Sequence, residues 1–146
     1  MPLREVTEAL LPVRLDLRYA TSDNIVGRPV YRTARCFLHP LAFDRLAVAA
    51  EQARRLGLRL KIFDGYRPPA AQWVFWRHNP DPQFVADPRR GSAHGRGAAV
   101  DLTLTDGQER ELDMGTGFDA FTPLSWHGHD GVGAEAQRNR LWLLGL

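Results

Sequence analysis

The chain has 146 residues, of which 44% are hydrophobic, and this is enough apolar material to form the core of one globular domain. Nineteen basic residues against seventeen acidic ones give a net charge of only +2, and the arginines are scattered, so we expect no nucleic-acid partner. Charged residues occur within the first fifteen positions, where a signal peptide would need an unbroken apolar segment, and no later stretch reaches membrane-spanning length. We therefore expect a cytoplasmic protein without a membrane contact.

The first predicted elements are a strand and a helix. Residues 13–19 alternate apolar and charged side chains, which is the period of a half-buried strand, and this strand leads Tyr19 into a polar loop. Apolar residues recur every three or four positions over residues 40–56, which predicts an amphipathic helix that stops at Gly57. Cys36 is the single cysteine, and we interpret it as a small buried residue rather than a reactive thiol.

A second strand and a second helix follow. Residues 58–62 alternate, and the pattern breaks at Asp64 and Gly65, so Arg67 is predicted to lie just beyond a strand end. The segment AAQWVFWRH is predicted to be helical, whereas the proline-rich residues 79–91 are predicted to form a loop.

The last third of the chain contains a strand, a turn and a final helix. Residues 98–104 predict a strand with its apolar side chains on one face and Asp101 on the other, and we expect this strand to be central in the sheet. Residues 105–111 are predicted to turn like a hairpin, residues 113–121 to be irregular and residues 134–146 to be helical.

His94 and Asp101 are residue types that zinc accepts as ligands. A fully extended chain would separate them by roughly 23 Å, so they can share one ion only if the chain doubles back between them. The glycines at 95 and 97 permit this. The residues alone leave open a second interpretation, in which a glycine turn precedes a strand with one solvent-facing aspartate.

The segment around these residues, SAHGRGAAVD at 92–101, fits the pattern S-x-H-x-x-G-x-A-x-D. It resembles the zinc-binding signature of the D-alanyl-D-alanine dipeptidases and related D,D-carboxypeptidases of peptidase family M15. Four further segments resemble the dipeptidase branch in family order: RYATSDN, DGYRP, LTL and MGTGFDAF. The resemblance runs from about Val13 to the final residue. It implies one α+β domain over residues 1–146, with a small, mostly antiparallel sheet and flanking helices, the hedgehog/DD-peptidase-like fold.

Carried over by position, the resemblance makes His94 and Asp101 ligands of one zinc ion per chain. It makes Arg67 the cation that polarises the scissile carbonyl and stabilises the oxyanion, a role that suits a permanently charged guanidinium. The alternative for Arg67 is a structural ion pair with Asp64 or another acid, which we favour less.

Three residues are expected to bind the substrate. By the same resemblance, Ser92 hydrogen-bonds the substrate carboxylate and Asp119 receives its ammonium group. Recognition of both ends would explain a preference for dipeptides. Asp119 could instead cap a turn, and Tyr19, which we expect to line the pocket, could instead be a tyrosine at the edge of the core.

The family pattern closes with a Glu-x-x-His segment that supplies the third ligand and the general base, and no such segment occurs here. The nearest phrase places Leu124 three residues before His127, and leucine cannot transfer a proton. His127 is therefore only a weak candidate ligand, with an exposed loop histidine as the alternative. We expect the domain to be incomplete at its C-terminus, with a complementing segment or a homo-oligomer as a candidate partner.

The implied function is zinc-dependent hydrolysis of D-Ala-D-Ala, a small dipeptide of peptidoglycan metabolism, by a metal-activated water. The first alternative is a D,D-carboxypeptidase that acts on longer muropeptides. The second is an inactive binding protein that uses an exposed apolar face at residues 141–144.

Overall fold

The computed structural model describes residues 2–146 and has the α+β architecture predicted from the sequence. Its strands are β1 (Arg4–Val6), β2 (Val13–Leu15), β3 (Cys36–Leu38), β4 (Arg59–Asp64) and β5 (Asp101–Thr105). Its helices are α1 (Pro40–Arg55), α2 (Pro69–His78) and α3 (Ala134–Gly145), and short 3-10 turns lie at Arg18–Ala20, His94–Arg96 and Pro123–Ser125.

The described strands form two small sheets. In one, β1 pairs antiparallel with β3; in the other, the order is β2-β4-β5, with β2 parallel and β5 antiparallel to β4. Antiparallel pairing therefore predominates, as expected. Helix α1 packs against the three-stranded sheet, and its predicted span is confirmed to within one residue, with Gly57 just beyond it at a φ of +73°.

The expectation that the strand carrying Asp101 is central is wrong. Strand β5 lies at the edge of its sheet, and it begins at Asp101 rather than at residue 98. The central strand is β4, in which Leu60, Ile62, Phe63 and Asp64 are all buried. Alternating apolar residues show which face of a strand is covered, but they carry no information on whether one or both of its edges are paired.

The first predicted strand is also shorter than expected. Strand β2 ends at Leu15, and the chain then enters the 3-10 turn that contains Tyr19. The tyrosine side chain is buried because this turn directs it into an apolar cluster that is separate from the main core. There it lies beside Ala71 and Phe75 of α2 and Val85 of the proline-rich loop. This cluster forms the floor of the region in which the candidate site residues lie.

Helix α3 fixes the irregular segment that precedes it. Asn139 donates a hydrogen bond to the carbonyl of Asp113, and the guanidinium of Arg140 donates to the carbonyls of Met114, Leu124 and Trp126. Its other side is apolar and open, with Leu141, Trp142 and Leu144 between 48% and 66% exposed. No helix within residues 2–146 is long and apolar enough to cross a membrane.

Candidate functional site

One large cavity, about 1300 Å³ in volume, opens where β4, β5 and α2 meet the irregular segment. It brings together every residue that the sequence singled out for chemistry or binding: Tyr19, Arg67, Ser92, His94, Asp101, Asp119 and His127. These residues come from six separate parts of the chain, so their convergence is a property of the fold.

The chain doubles back between His94 and Asp101, as the glycines predicted. After the 3-10 turn at His94–Arg96, Gly97 adopts the left-handed region with φ at +66°. A Cβ at this position would lie 2.8 Å from the backbone nitrogen of His39 and 2.9 Å from the Leu3 side chain, so glycine alone fits. The result is a separation of 3.3 Å between His94 Nε2 and Asp101 Oδ1.

A hydrogen bond through Nδ1 fixes the orientation of the His94 imidazole. Its Nδ1 lies 2.8 Å from the carbonyl oxygen of Gly65, and because a carbonyl only accepts, Nδ1 carries the hydrogen. In the neutral ring the lone pair is then on Nε2, which faces Asp101. Histidine ligands of metals are held in this way by a hydrogen bond to the other ring nitrogen, so the His94 and Asp101 side chains suit a shared cation.

Asp64 is a site residue that the sequence suggested only as an ion-pair partner. Its carboxylate is 1% exposed, and it accepts hydrogen bonds from the Tyr31 hydroxyl at 2.8 Å and from Arg67 Nε at 2.9 Å. Burial raises the pKa of this carboxyl to about 6, while the charge of Arg67 opposes the rise. Its position in the DGYRP segment was the signal available in the sequence.

Asp64 also completes a group of three side chains that could hold a metal. One ligand atom from each of Asp64, His94 and Asp101 lies within 4.8 Å of the others. However, Asp64 approaches the Nδ1 side of His94, at 3.9 Å, whereas Asp101 faces Nε2. Both oxygens of Asp64 already accept hydrogen bonds. The pair of side chains best placed to offer ligand atoms to a metal is therefore His94, through Nε2, and Asp101.

Arg67 lies between these carboxylates with its side chain 11% exposed. Its Nη2 is 3.2 Å from Asp101 Oδ2, and its Nη1 donates to Gln72 Oε1 at 3.0 Å. The ion pair with Asp64, the less favoured interpretation of Arg67, is therefore present, and it coexists with contact to Asp101. The guanidinium is also stacked near aromatic rings, 4.9 Å from the ring centre of Phe75.

Asp119 also lines the cavity. This residue adopts a φ of +59°, uncommon for a side chain other than glycine, and its carboxylate accepts from the Tyr19 hydroxyl at 2.7 Å and from the Ile25 amide at 3.2 Å. Burial raises its pKa, and these two hydrogen bonds oppose the rise. Tyr19 is 3% exposed and also lines the cavity, so it packs in the core at the border of the pocket.

Ser92 and His127 are the remaining predicted residues that line the cavity. The Oγ of Ser92 accepts a hydrogen bond from the Gly95 amide at 3.2 Å, which leaves the hydroxyl hydrogen free to donate. His127 is exposed and lines the cavity. It does not join the ligand group, because among residues 2–146 only Asp64, His94 and Asp101 bring ligand atoms that close together.

Comparison with known proteins is consistent with this geometry. The family model described as D-ala-D-ala dipeptidase matches residues 1–145. The D-alanyl-D-alanine dipeptidase of Escherichia coli (strain K12) is 47% identical, and the match covers 90% of this chain and 68% of that protein. The enzymes of the same name from Enterococcus faecalis and Streptomyces coelicolor are each 35% identical, with 91% and 92% of this chain covered and 77% and 78% of theirs. The chain therefore belongs to the D-Ala-D-Ala dipeptidase family of the M15 peptidases, and it is a peptidase.

Proposed function

We propose that this protein hydrolyses the dipeptide D-Ala-D-Ala with the help of one zinc ion held by His94 and Asp101. The observation that carries the proposal is the 3.3 Å approach of His94 Nε2 to Asp101 Oδ1, with the guanidinium of Arg67 3.2 Å from the other oxygen of Asp101. Relatives that match 88% or more of the chain are named for this substrate.

The donor set suits zinc. An imidazole nitrogen and a carboxylate oxygen are both ligands that zinc accepts, and the Gly65 carbonyl supplies the second hydrogen bond that fixes a ligating histidine. A bound zinc ion would polarise the substrate carbonyl and lower the pKa of water. The proposal assigns neither a third ligand nor a general base among residues 2–146.

Arg67 is proposed to stabilise the negative charge that develops on the carbonyl oxygen. A guanidinium has five N–H groups. Nε and Nη2 of Arg67 face Asp64, Nη2 also faces Asp101, and Nη1 donates to Gln72. The second N–H of Nη1 would donate to a substrate oxygen beside His94 and Asp101. A fixed cation in a buried pocket stabilises such a charge more strongly than water does, because it needs no reorientation during the reaction.

Two groups are proposed to select a dipeptide. The carboxylate of Asp119, held by Tyr19 and the Ile25 amide, would accept the substrate ammonium group, and the free hydroxyl hydrogen of Ser92 would donate to the substrate carboxylate. A substrate must then present opposite charges at both ends of one peptide bond. Longer peptides would place an uncharged amide at Asp119.

The test is hydrolysis by the purified chain with one equivalent of zinc. We expect release of D-alanine from D-Ala-D-Ala, no cleavage of L-Ala-L-Ala, loss of turnover with a chelator, and little cleavage of N-acetyl-D-Ala-D-Ala because its ammonium group is blocked. Equal cleavage of the acetylated compound or of longer muropeptides would favour the D,D-carboxypeptidase instead. If none of these substrates is cleaved in the presence of zinc, the proposal is wrong.

A matched pair of variants isolates the metal site. Asp101→Asn keeps the size of the side chain but removes its charge, and it should abolish zinc-dependent turnover. Asp44→Asn, at an exposed position of α1 whose carboxylate pairs with Arg4, should leave turnover unchanged.

A further inference from the structure

Gln72 is a buried polar side chain that the proposed reaction does not use directly. It lies in the first half of α2, is 4% exposed, and has both ends of its amide hydrogen-bonded. Its Oε1 accepts from Arg67 Nη1 at 3.0 Å, and its Nε2 donates to the carbonyl of Ala86 at 2.7 Å. Buried amides of this kind are costly unless every polar atom has a partner, so the two contacts fix the side chain in one orientation.

The contact with Gln72 differs from the other two contacts of Arg67. Asp64 and Asp101 bind the Nε and Nη2 side of the guanidinium, and both carry charge. Gln72 binds Nη1, the nitrogen whose remaining N–H points to a substrate oxygen in the proposed reaction. Because it is neutral, it fixes the direction of this nitrogen without reducing the positive charge available to the oxyanion.

The second contact of Gln72 reaches the proline-rich loop. Ala86 follows Val85, which is 4% exposed and packs in the cluster of Tyr19 and Phe75, and the same loop continues to Ser92. One amide therefore connects the guanidinium proposed to stabilise the oxyanion with the loop that leads to the residue proposed to bind the substrate carboxylate.

We propose that Gln72 is a positioning residue, which holds Arg67 Nη1 in the direction of the substrate oxygen and fixes the loop at Ala86 relative to it. This inference rests on the proposed function, since it takes the role of Arg67 from there. Gln72 does not line the cavity, and its hydrogen bonds reach neither His94 nor Asp101.

The kinetic test replaces Gln72 by methionine, which has a similar length but forms neither hydrogen bond. For Gln72→Met we expect kcat to fall by about 10- to 100-fold, because small displacements of a catalytic group have effects of this size, while KM stays within about threefold. A phosphinate analogue of D-Ala-D-Ala, with a tetrahedral anionic centre, should lose affinity by the same factor as kcat/KM. Gln52→Met, at an exposed position of α1, should change neither quantity.

A second measurement does not depend on turnover. Nitrogen-15 NMR of the arginine side chains should show separate Nη1 and Nη2 signals for Arg67 in the wild-type protein, because both nitrogens are held. In Gln72→Met the two hydrogens of Nη1 should exchange faster, because this nitrogen loses its partner, while the Nη2 and Nε signals, held by Asp101 and Asp64, should persist. Zinc stoichiometry should be unchanged, since His94 and Asp101 are untouched.

The outcomes separate the two proposals. Wild-type kcat in Gln72→Met, or unaltered Arg67 signals, would overturn the positioning role. The same holds if the variant loses only thermal stability while kcat per folded molecule is unchanged. If the wild-type protein itself shows no zinc-dependent turnover, the proposed function fails, and the NMR signals alone decide whether Gln72 holds Arg67.

Discussion

Two regions of the molecule are equally buried but are held together differently. In the apolar core around α1, Leu38, Ala50, Ile62 and Leu104 are each 0% exposed and contact other apolar side chains. At the ends of the strands, Asp64 is 1%, Tyr19 3% and Gln72 4% exposed, yet their polar atoms each have a named partner. The first region is stabilised by the close packing of apolar side chains, which fills volume and is not directional. The second is stabilised by hydrogen bonds and ion pairs, which depend on direction and charge.

The comparison implies that a substitution in the apolar core lowers stability and leaves chemistry intact, whereas one in the polar cluster alters both. The following substitutions test this, in order of decreasing expected effect.

Arg67→Met should have the largest effect. It removes the cation from between Asp64 and Asp101, and an uncompensated buried charge lowers the free energy of unfolding by about 3–5 kcal/mol. Turnover should fall by about 100- to 1000-fold if the guanidinium stabilises the oxyanion. Urea unfolding and steady-state kinetics measure the two effects. The control is Arg55→Met, at an exposed position of α1, and equal stability in both variants would contradict the account.

Gly97→Ala should come next. Its left-handed backbone costs alanine about 1–2 kcal/mol, and the close approach of His39 and Leu3 adds about 1–3 kcal/mol of overpacking. Gly27→Ala is the matched control, because Gly27 has a φ of +74° but no atom within 4 Å of the added Cβ. Thermal or urea unfolding should therefore show a clearly larger loss at Gly97. Equal losses would mean that the close packing at the fold-back does not matter.

Tyr19→Phe should have a smaller effect, mainly on substrate binding. It removes one hydrogen bond to the carboxylate of Asp119, which is worth about 1.5–3 kcal/mol because the acceptor is charged. We expect KM for D-Ala-D-Ala to rise by about 10- to 100-fold with kcat less affected, since Asp119 would lose its orientation toward the ammonium group. The control is Tyr66→Phe, at a half-buried tyrosine that does not line the cavity, and an unchanged KM in Tyr19→Phe would remove Asp119 from the binding site.

Ile62→Val should have the smallest effect. It deletes one methylene group from the apolar core and should lower the free energy of unfolding by about 0.5–1.5 kcal/mol. The kinetic constants, measured per folded molecule, should equal those of the wild-type protein. A large change in kcat would show that the core and the polar cluster are not separate in the way described.

Much of the architecture could be predicted because local patterns determine it. The 3.6-residue period of residues 40–56 corresponds to α1, and the pair of glycines after His94 corresponds to the fold-back that brings it to Asp101. Cys36 is buried as predicted, and burial raises the pKa of its thiol to about 12. These features follow from residues close together in the sequence.

The remaining features depend on contacts between distant residues. The Tyr19 hydroxyl reaches Asp119 across 100 positions, and the Tyr31 hydroxyl reaches Asp64 across 33, so neither pair has a local pattern. The edge position of β5 depends on which strands pair, which alternation does not specify. Arg140 resembles a surface arginine of a helix, but it is 9% exposed and donates to three backbone carbonyls.

The most direct test of the central claim is to measure the zinc content of the purified protein and of three variants. Each is first loaded with a small excess of zinc and then dialysed to remove unbound metal. We predict one zinc ion per chain in the wild-type protein, none in His94→Ala or Asp101→Asn, and one in His127→Ala, because His127 stands apart from the ligand group. Zinc retained by Asp101→Asn but lost from His127→Ala would contradict the assignment of the site.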